Sequence, residues 1–167
     1  YIQADRVDFK GKNSTIQKLT EHQEIAFKEI KTSFKTKQVT LLKGVTSSGK
    51  TEIYAKLIQE ALDKGKQVLY LLPEIALTTQ IIQRLQVYFG DYLSVYHSKY
   101  TVNERVEVWK NTLHNKKKAR LILGARSSLF LPFSNLDLII VDEEHEPSYK
   151  QYNPAPRYHA RDASIVL

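Results

Sequence analysis

The chain has 167 residues, 42% of them hydrophobic, which suits one globular domain with a core of its own. With no cysteine it holds neither a disulfide nor a thiolate metal site, and no apolar stretch is long enough to cross a bilayer, so no membrane partner and a cytoplasmic location are expected. A net charge of +7 and a pI near 9.4 suit a polyanionic partner, DNA or RNA above all, and equally a merely well-solvated basic surface.

Residues 1–18 are polar, with Lys10-Gly11-Lys12-Asn13-Ser14-Thr15 reading as a linker or the end of a preceding domain; the domain proper is expected over 19–167. The chain starts at Tyr1, contains no methionine and stops inside the apolar run Ile165-Val166-Leu167, as expected of a piece cut from a longer protein. Thr20 reads as an N-cap, and Ala26, Phe27, Ile30 and Phe34 recur at helical spacing, which predicts a helix over 21–34. A first strand is predicted over 39–43.

Gly44 to Thr51, GVTSSGKT, then matches the phosphate-cradling template G-x-x-x-x-G-K-[ST]. In such a loop the backbone N–H groups of Gly44, Val45, Thr46, Ser47, Ser48 and Gly49 face the phosphates, and the following helix adds its positive dipole end. Lys50 supplies charge and Thr51 a ligand for Mg²⁺. The chain is therefore expected to bind a nucleoside triphosphate.

Ile53, Leu57, Ile58, Ala61 and Leu62 mark the next helix, with Gly65 as its C-cap signal, and a second strand runs over 68–72. Leu77, Ile81, Leu85 and Tyr88 stripe a third helix ending at Gly90, before a short strand over 93–96. Thr101 and Glu104 make a capping box for a fourth helix, whose buried face is predicted to be Val102, Val106, Trp109 and Leu113. Lys116-Lys117-Lys118 turns the chain into a strand over 121–123, and a fifth strand is predicted over 136–141. Apolar strands alternating with helices predict an α/β fold, a mostly parallel sheet with helices on both faces and right-handed crossovers.

The last strand ends in Asp142-Glu143-Glu144-His145. Open α/β sheets bind ligands at the carboxyl ends of their strands, which puts this acidic quartet on the same edge as the phosphate loop. Asp142 can hold magnesium directly or through its water, opposite Thr51, and Glu143 can orient and deprotonate the attacking water. The bland alternative is a solvated acidic strand end.

Three further signals lie around this edge. Gln23 stands 21 residues before Gly44, and it either completes a capping box with Thr20 or reads the adenine edge with its amide. The loops Pro73 to Thr78 and Gly124 to Ser128 carry Thr78, Arg126, Ser127 and Ser128, which suit phosphate oxygens of a nucleic-acid strand and equally suit ordinary turn and cap chemistry. Tyr149, Lys150, Tyr152, Arg157, Tyr158, His159 and Arg161 interleave aromatics with cations, a mixture that stacks bases and neutralises phosphates, or else packs a loop onto the core.

The strings LLKGVTSSGKTEIY, LLPEIALTTQ, YHSKYT, GARSSLFLPF, IIVDEEHEPSYKQ and PRYHARD, in this order, resemble the first RecA-like lobe of the PriA family of bacterial replication restart helicases, within superfamily 2. The resemblance covers nearly everything from Leu19 onward. It implies an ATP-dependent DNA helicase acting at stalled or branched forks in replication restart and primosome assembly. By position, Gln23 would read adenine, Gly44 to Thr51 would be the first ATPase motif, and Asp142 with Glu143 the second. His145 would pass information between nucleotide and DNA, and Tyr149 to Arg161 would be the aromatic-rich loop that couples DNA binding to ATP turnover.

Ser47 departs from the glycine usual at that place in the family, and the segment between Gln151 and Arg157 is variable, which leaves Tyr152 without a firm role. The resemblance also implies parts outside this segment: a Ser-Ala-Thr strand, a second lobe with an arginine finger, DNA-binding domains, cysteine-ligated zinc sites and surfaces for replication restart proteins. Alone, the lobe is expected to bind ATP and Mg²⁺ and to hydrolyse ATP poorly. The rivals are another superfamily 2 translocase or RNA helicase, a nucleotide-gated DNA-binding module and, more weakly, a small-molecule P-loop kinase.

Overall fold

Strands that are apolar at nearly every position must be covered on both faces, and the chain meets that demand by packing helices onto both sides of one sheet. The computed structural model describes residues 16–44, 49–76, 79–98 and 100–167. Strands β1 (Gln67–Leu71), β2 (Leu93–Tyr96), β3 (Leu121–Gly124) and β4 (Leu136–Val141) pair in the order β2-β3-β1-β4, all parallel. Helices α1 (Glu21–Ser33), α2 (Lys50–Asp63), α3 (Thr79–Phe89), α4 (Val102–Leu113) and α5 (Ala160–Ser164) surround it. This is the expected RecA-like α/β arrangement. Among the described residues no helix is long and apolar enough to cross a membrane.

Side chains alternate across each strand, so the two faces build two cores. On one face Val68, Tyr70 and Leu72 of the first strand segment meet Tyr54, Ile58 and Leu62 of α2 and Leu85 and Phe89 of α3. On the other, Leu69 and Leu71 meet Val108 of α4, Leu129, Tyr149 and Ala160 of α5. A smaller cluster of Ile30, Ile53 and Leu57 seats α1 on α2. Ile16 already packs against the first core, ahead of the predicted domain start.

The predicted caps are all in place. Thr20 and Thr101 each accept from the backbone N–H three residues on, while Gln23 and Glu104 reach back to the cap N–H. Gly65 has φ +71, the left-handed turn that ends α2, where a side chain would be strained.

Two expectations fail. Residues 39–43 form no strand: they and β4 line the same groove without pairing. The alternation survives, with Leu42 packed into the core while Val39 and Leu41 are 51% and 74% exposed, but a strand also requires hydrogen bonds to a neighbour. The segment is tied instead to the end of α1, where the Thr40 hydroxyl donates to Ser33 Oγ at 2.8 Å.

The second failure is the face of α4. Val102, Val106, Trp109 and Leu113 are exposed, and Val108 and Thr112 are the buried residues. The reason lies in Gln67, the first residue of β1, which is fully buried. Its amide donates to the Thr112 carbonyl at 2.8 Å and accepts from the N–H groups of Ser134 and Asn135 at 3.0 and 2.8 Å. The Thr112 hydroxyl in turn donates to the Val108 carbonyl at 2.8 Å, so a polar clamp decides which face of α4 turns inward.

Candidate active site

The phosphate loop enters α2 through Gly49, which has φ +77. That backbone conformation favours glycine, and a Cβ there would stand 2.1 Å from Gln23 Nε2 and displace its amide from the loop. Gly49 caps α2 without a side-chain bond, and the first turn of that helix begins with Lys50 and Thr51. Its leading N–H groups lie at the positive end of the helix dipole. Lys50 Nζ donates to the Gly44 carbonyl at 3.1 Å and joins the two ends of the loop. Val45, Thr46, Ser47 and Ser48 lie outside the described residues, as does Thr78.

Gln23 completes the capping box and also touches the phosphate loop. Its Oε1 accepts from the Thr20 N–H at 2.8 Å, completing the capping box, while Nε2 donates to the Gly49 carbonyl at 3.2 Å. One amide therefore ties the start of α1 to the exit of the phosphate loop.

At the end of β4 the sheet ladder runs one residue further, with the Asp142 N–H donating to the Leu71 carbonyl at 3.0 Å. Both carboxylate oxygens of Asp142 are held. Oδ2 accepts from the Tyr70 hydroxyl at 2.9 Å and Oδ1 from the Glu143 N–H at 3.1 Å. Glu143 then adopts φ +49, a left-handed conformation unusual for a side chain of its size, and its carboxylate lies 3.8 Å from His145 Nε2. The groove beside β4 brings Gly44, Lys50, Tyr54, Asp142, Glu143 and His145 together.

Tyrosines back this acidic edge. Burial, followed by the Asp142 charge, pushes the Tyr54, Tyr70 and Tyr149 hydroxyls well above the usual phenol range, so they remain protonated donors. Tyr54 meets Tyr70 edge to face at 5.7 Å. Tyr149, expected to stack on a base, is only 1% exposed; its hydroxyl lies 2.6 Å from the Asp142 carbonyl and 3.0 Å from that of Leu71. Its ring has no free face for a base, and it pins the following segment to the ends of β1 and β4.

That segment is anchored at two more points. Arg126 Nη1 donates to the Ser148 and Lys150 carbonyls at 2.9 and 3.4 Å, and Arg161 donates to Glu144 at 2.8 Å. A bridge between Lys150 and His159 closes the loop, leaving Tyr152 67% exposed at its tip with Arg157 also exposed. Tyr158 packs against exposed Phe130 at 4.8 Å, and Ser127 is exposed beside it, whereas Ser128 is buried with its hydroxyl on the Ala125 carbonyl.

Residues 20–164 match the DEAD/DEAH box helicase family. The chain belongs to this family. Among curated proteins it is similar to the replication restart protein PriA of Bacillus subtilis, 46% identical over 88% of this chain and 18% of that one. The PriA of Haemophilus influenzae is 52% identical over 77% of this chain and 17% of its own length, and that of Rickettsia conorii 49% identical over 92% and 23%. The chain thus spans about a fifth of the length of these relatives. A DEAD/DEAH box helicase domain implies nucleotide binding, and Gly44, Lys50, Asp142 and Glu143 line this groove. Sequence reasoning passed over Tyr54 and Tyr70, although a tyrosine inside an apolar strand such as VLYLL signals a hydroxyl that needs a partner.

Proposed function

We propose that this chain is the ATP-binding first motor lobe, over residues 19–167, of an ATP-dependent DNA helicase that acts at stalled or branched replication forks in replication restart. The observation that carries the reading is one strand end: β4 delivers Asp142 and Glu143 to the groove, and the aromatic, basic loop that follows is bonded back to the same strand end through Tyr149.

Within the site, Gln23 reads the adenine, Gly44 to Thr51 cradle the phosphates and Lys50 offsets their charge. The donor set offers a hydroxyl at Thr51 and a carboxylate at Asp142, hard oxygen ligands that suit Mg²⁺, an ion bound by one or two protein groups plus substrate phosphates. Bound magnesium would neutralise charge on the β and γ phosphates. Glu143, turned aside by its left-handed backbone, orients the attacking water and takes its proton. His145, exposed beside Glu143, carries the nucleotide state toward the loop.

On the nucleic-acid side Tyr152, Arg157 and Tyr158 stack bases and meet phosphates, with Lys150 and Ser127 along the same strand path and Thr78 a further phosphate contact. Arg126 acts chiefly as the post that holds the loop, since its guanidinium is already committed to two carbonyls. Branched or single-stranded DNA is the substrate, replication restart proteins are met through further domains, and the setting is the cytoplasm. The lobe alone binds ATP and turns it over poorly, because the opposing lobe supplies the rest of the site.

The test is Glu143→Gln in the full-length protein, assayed for nucleotide binding, ATP turnover and strand separation on DNA and RNA forks. The reading expects binding within a few-fold of normal, turnover lower by about 10² or more, and loss of DNA unwinding. Normal turnover would remove Glu143 as the base, and unwinding of RNA forks in preference to DNA would move the protein to the RNA helicases.

A further inference from the structure

Tyr70 is fully buried near the C-terminal end of β1, yet its hydroxyl reaches the acidic edge. The register explains how. Tyr70 lies opposite Ile140 in the parallel ladder, so Asp142, two residues on, projects from the same face of the sheet. The tyrosine leans along its strand and donates to Asp142 Oδ2 at 2.9 Å, while Tyr54 of α2, the helix that starts in the phosphate loop, packs edge to face on its ring. With Oδ1 taken by the Glu143 N–H, the carboxylate has a donor on each oxygen and one lone-pair direction left on each.

We infer that Tyr70 is a positioning residue for magnesium: its hydroxyl holds the Asp142 carboxylate in the rotamer that faces the ion, and the α2 ring contact keeps that hydroxyl in register with the phosphate loop. This rests on the reading of Asp142 as the magnesium-side carboxylate given above. Carboxylates that ligate metals depend on such outer partners, whose loss typically weakens metal affinity or activity 10- to 100-fold.

The experiment is a Mg²⁺ titration of fluorescent ATP-analogue binding to the full-length protein, comparing Tyr70→Phe, Asp142→Ala and the natural sequence, with binding in EDTA as the metal-free reference. Tyr70→Phe keeps the ring and therefore the core packing. The expected result is a Mg²⁺ midpoint raised about 10-fold in Tyr70→Phe with metal-free affinity unchanged. An unchanged midpoint in Tyr70→Phe beside a raised one in Asp142→Ala would overturn the role of Tyr70 and leave the magnesium reading intact. A matching loss of metal-free affinity would also overturn it, because Tyr70 would then only pack the pocket. An unchanged midpoint in Asp142→Ala would take down both.

Discussion

A phenol sealed beside a carboxylate gives up its proton only when the structure around it opens. Tyr54, Tyr70 and Tyr149 share that situation, and burial is the first cause in each, with Asp142 second. Their ionisation is raised in the folded state above the ordinary value near 10 that they regain on unfolding, so the stability they confer is complete below that pH and is lost as pH rises above it. Each would steepen the fall by about 1.4 kcal/mol per pH unit, or about 4 for the three together. Thermal melts should therefore hold level to about pH 9 and drop steeply beyond 10, with the phenolate absorbance of these residues appearing together with unfolding. Gradual ionisation while the fold persists would contradict their placement. At this scale the sequence was partly legible. Gln23 could be assigned to a cap and to the nucleotide site from spacing, and the structure gives it the cap together with a contact to the phosphate loop. The left-handed turn at Glu143 was not legible, and the inward turn of Tyr149 only as one of two alternatives, because each depends on what the chain meets after β4 ends.

Among the elements, helices with local signals were read correctly, since a capping box or a left-handed glycine is decided within a few residues. The face of α4 was misread because an apolar stripe says only that a face can be buried. Gln67, distant in sequence, competes by offering hydrogen bonds that only the Thr112 side of the helix can satisfy. Gln67→Leu should leave the Ser134 and Asn135 N–H groups and the Thr112 carbonyl without this partner, at about 1 to 3 kcal/mol each. We expect a loss of at least about 3 kcal/mol, seen as a melting temperature lower by roughly 5 to 10 °C; a loss below about 1 kcal/mol would mean that water replaces the clamp. Trp109 is the one tryptophan of the chain and is 45% exposed, so its fluorescence in the 167-residue chain should be readily quenched by acrylamide. Trp109→Ala should cost less than about 1 kcal/mol there, whereas a core tryptophan would cost about 3 to 5. Residues 39–43 fail for a complementary reason: their alternation predicted a strand, but a strand needs a neighbour to pair with, which the pattern cannot name.

For the whole molecule, parallel order is what gathers the chemistry. All four strands point the same way, so the acidic turn after β4, the Arg126 turn after β3 and the segment after β1 leave from one edge of the sheet. The parallel order followed from the alternation of strands and helices, and two short motifs placed the acidic quartet at a strand end; the groove beside β4 did not follow, because residues 39–43 were expected to pair as a strand. The loop from Tyr149 to Arg161 then closes onto that edge through Tyr149, Arg126 and Arg161, so on the proposed reading the nucleotide site and the nucleic-acid loop form one bonded unit. The most direct test is ATP turnover by the full-length protein with and without forked DNA, with Lys50→Ala as the comparison. Strong stimulation by the fork that Lys50→Ala abolishes is the predicted result, and turnover indifferent to DNA would contradict a motor driven through this lobe.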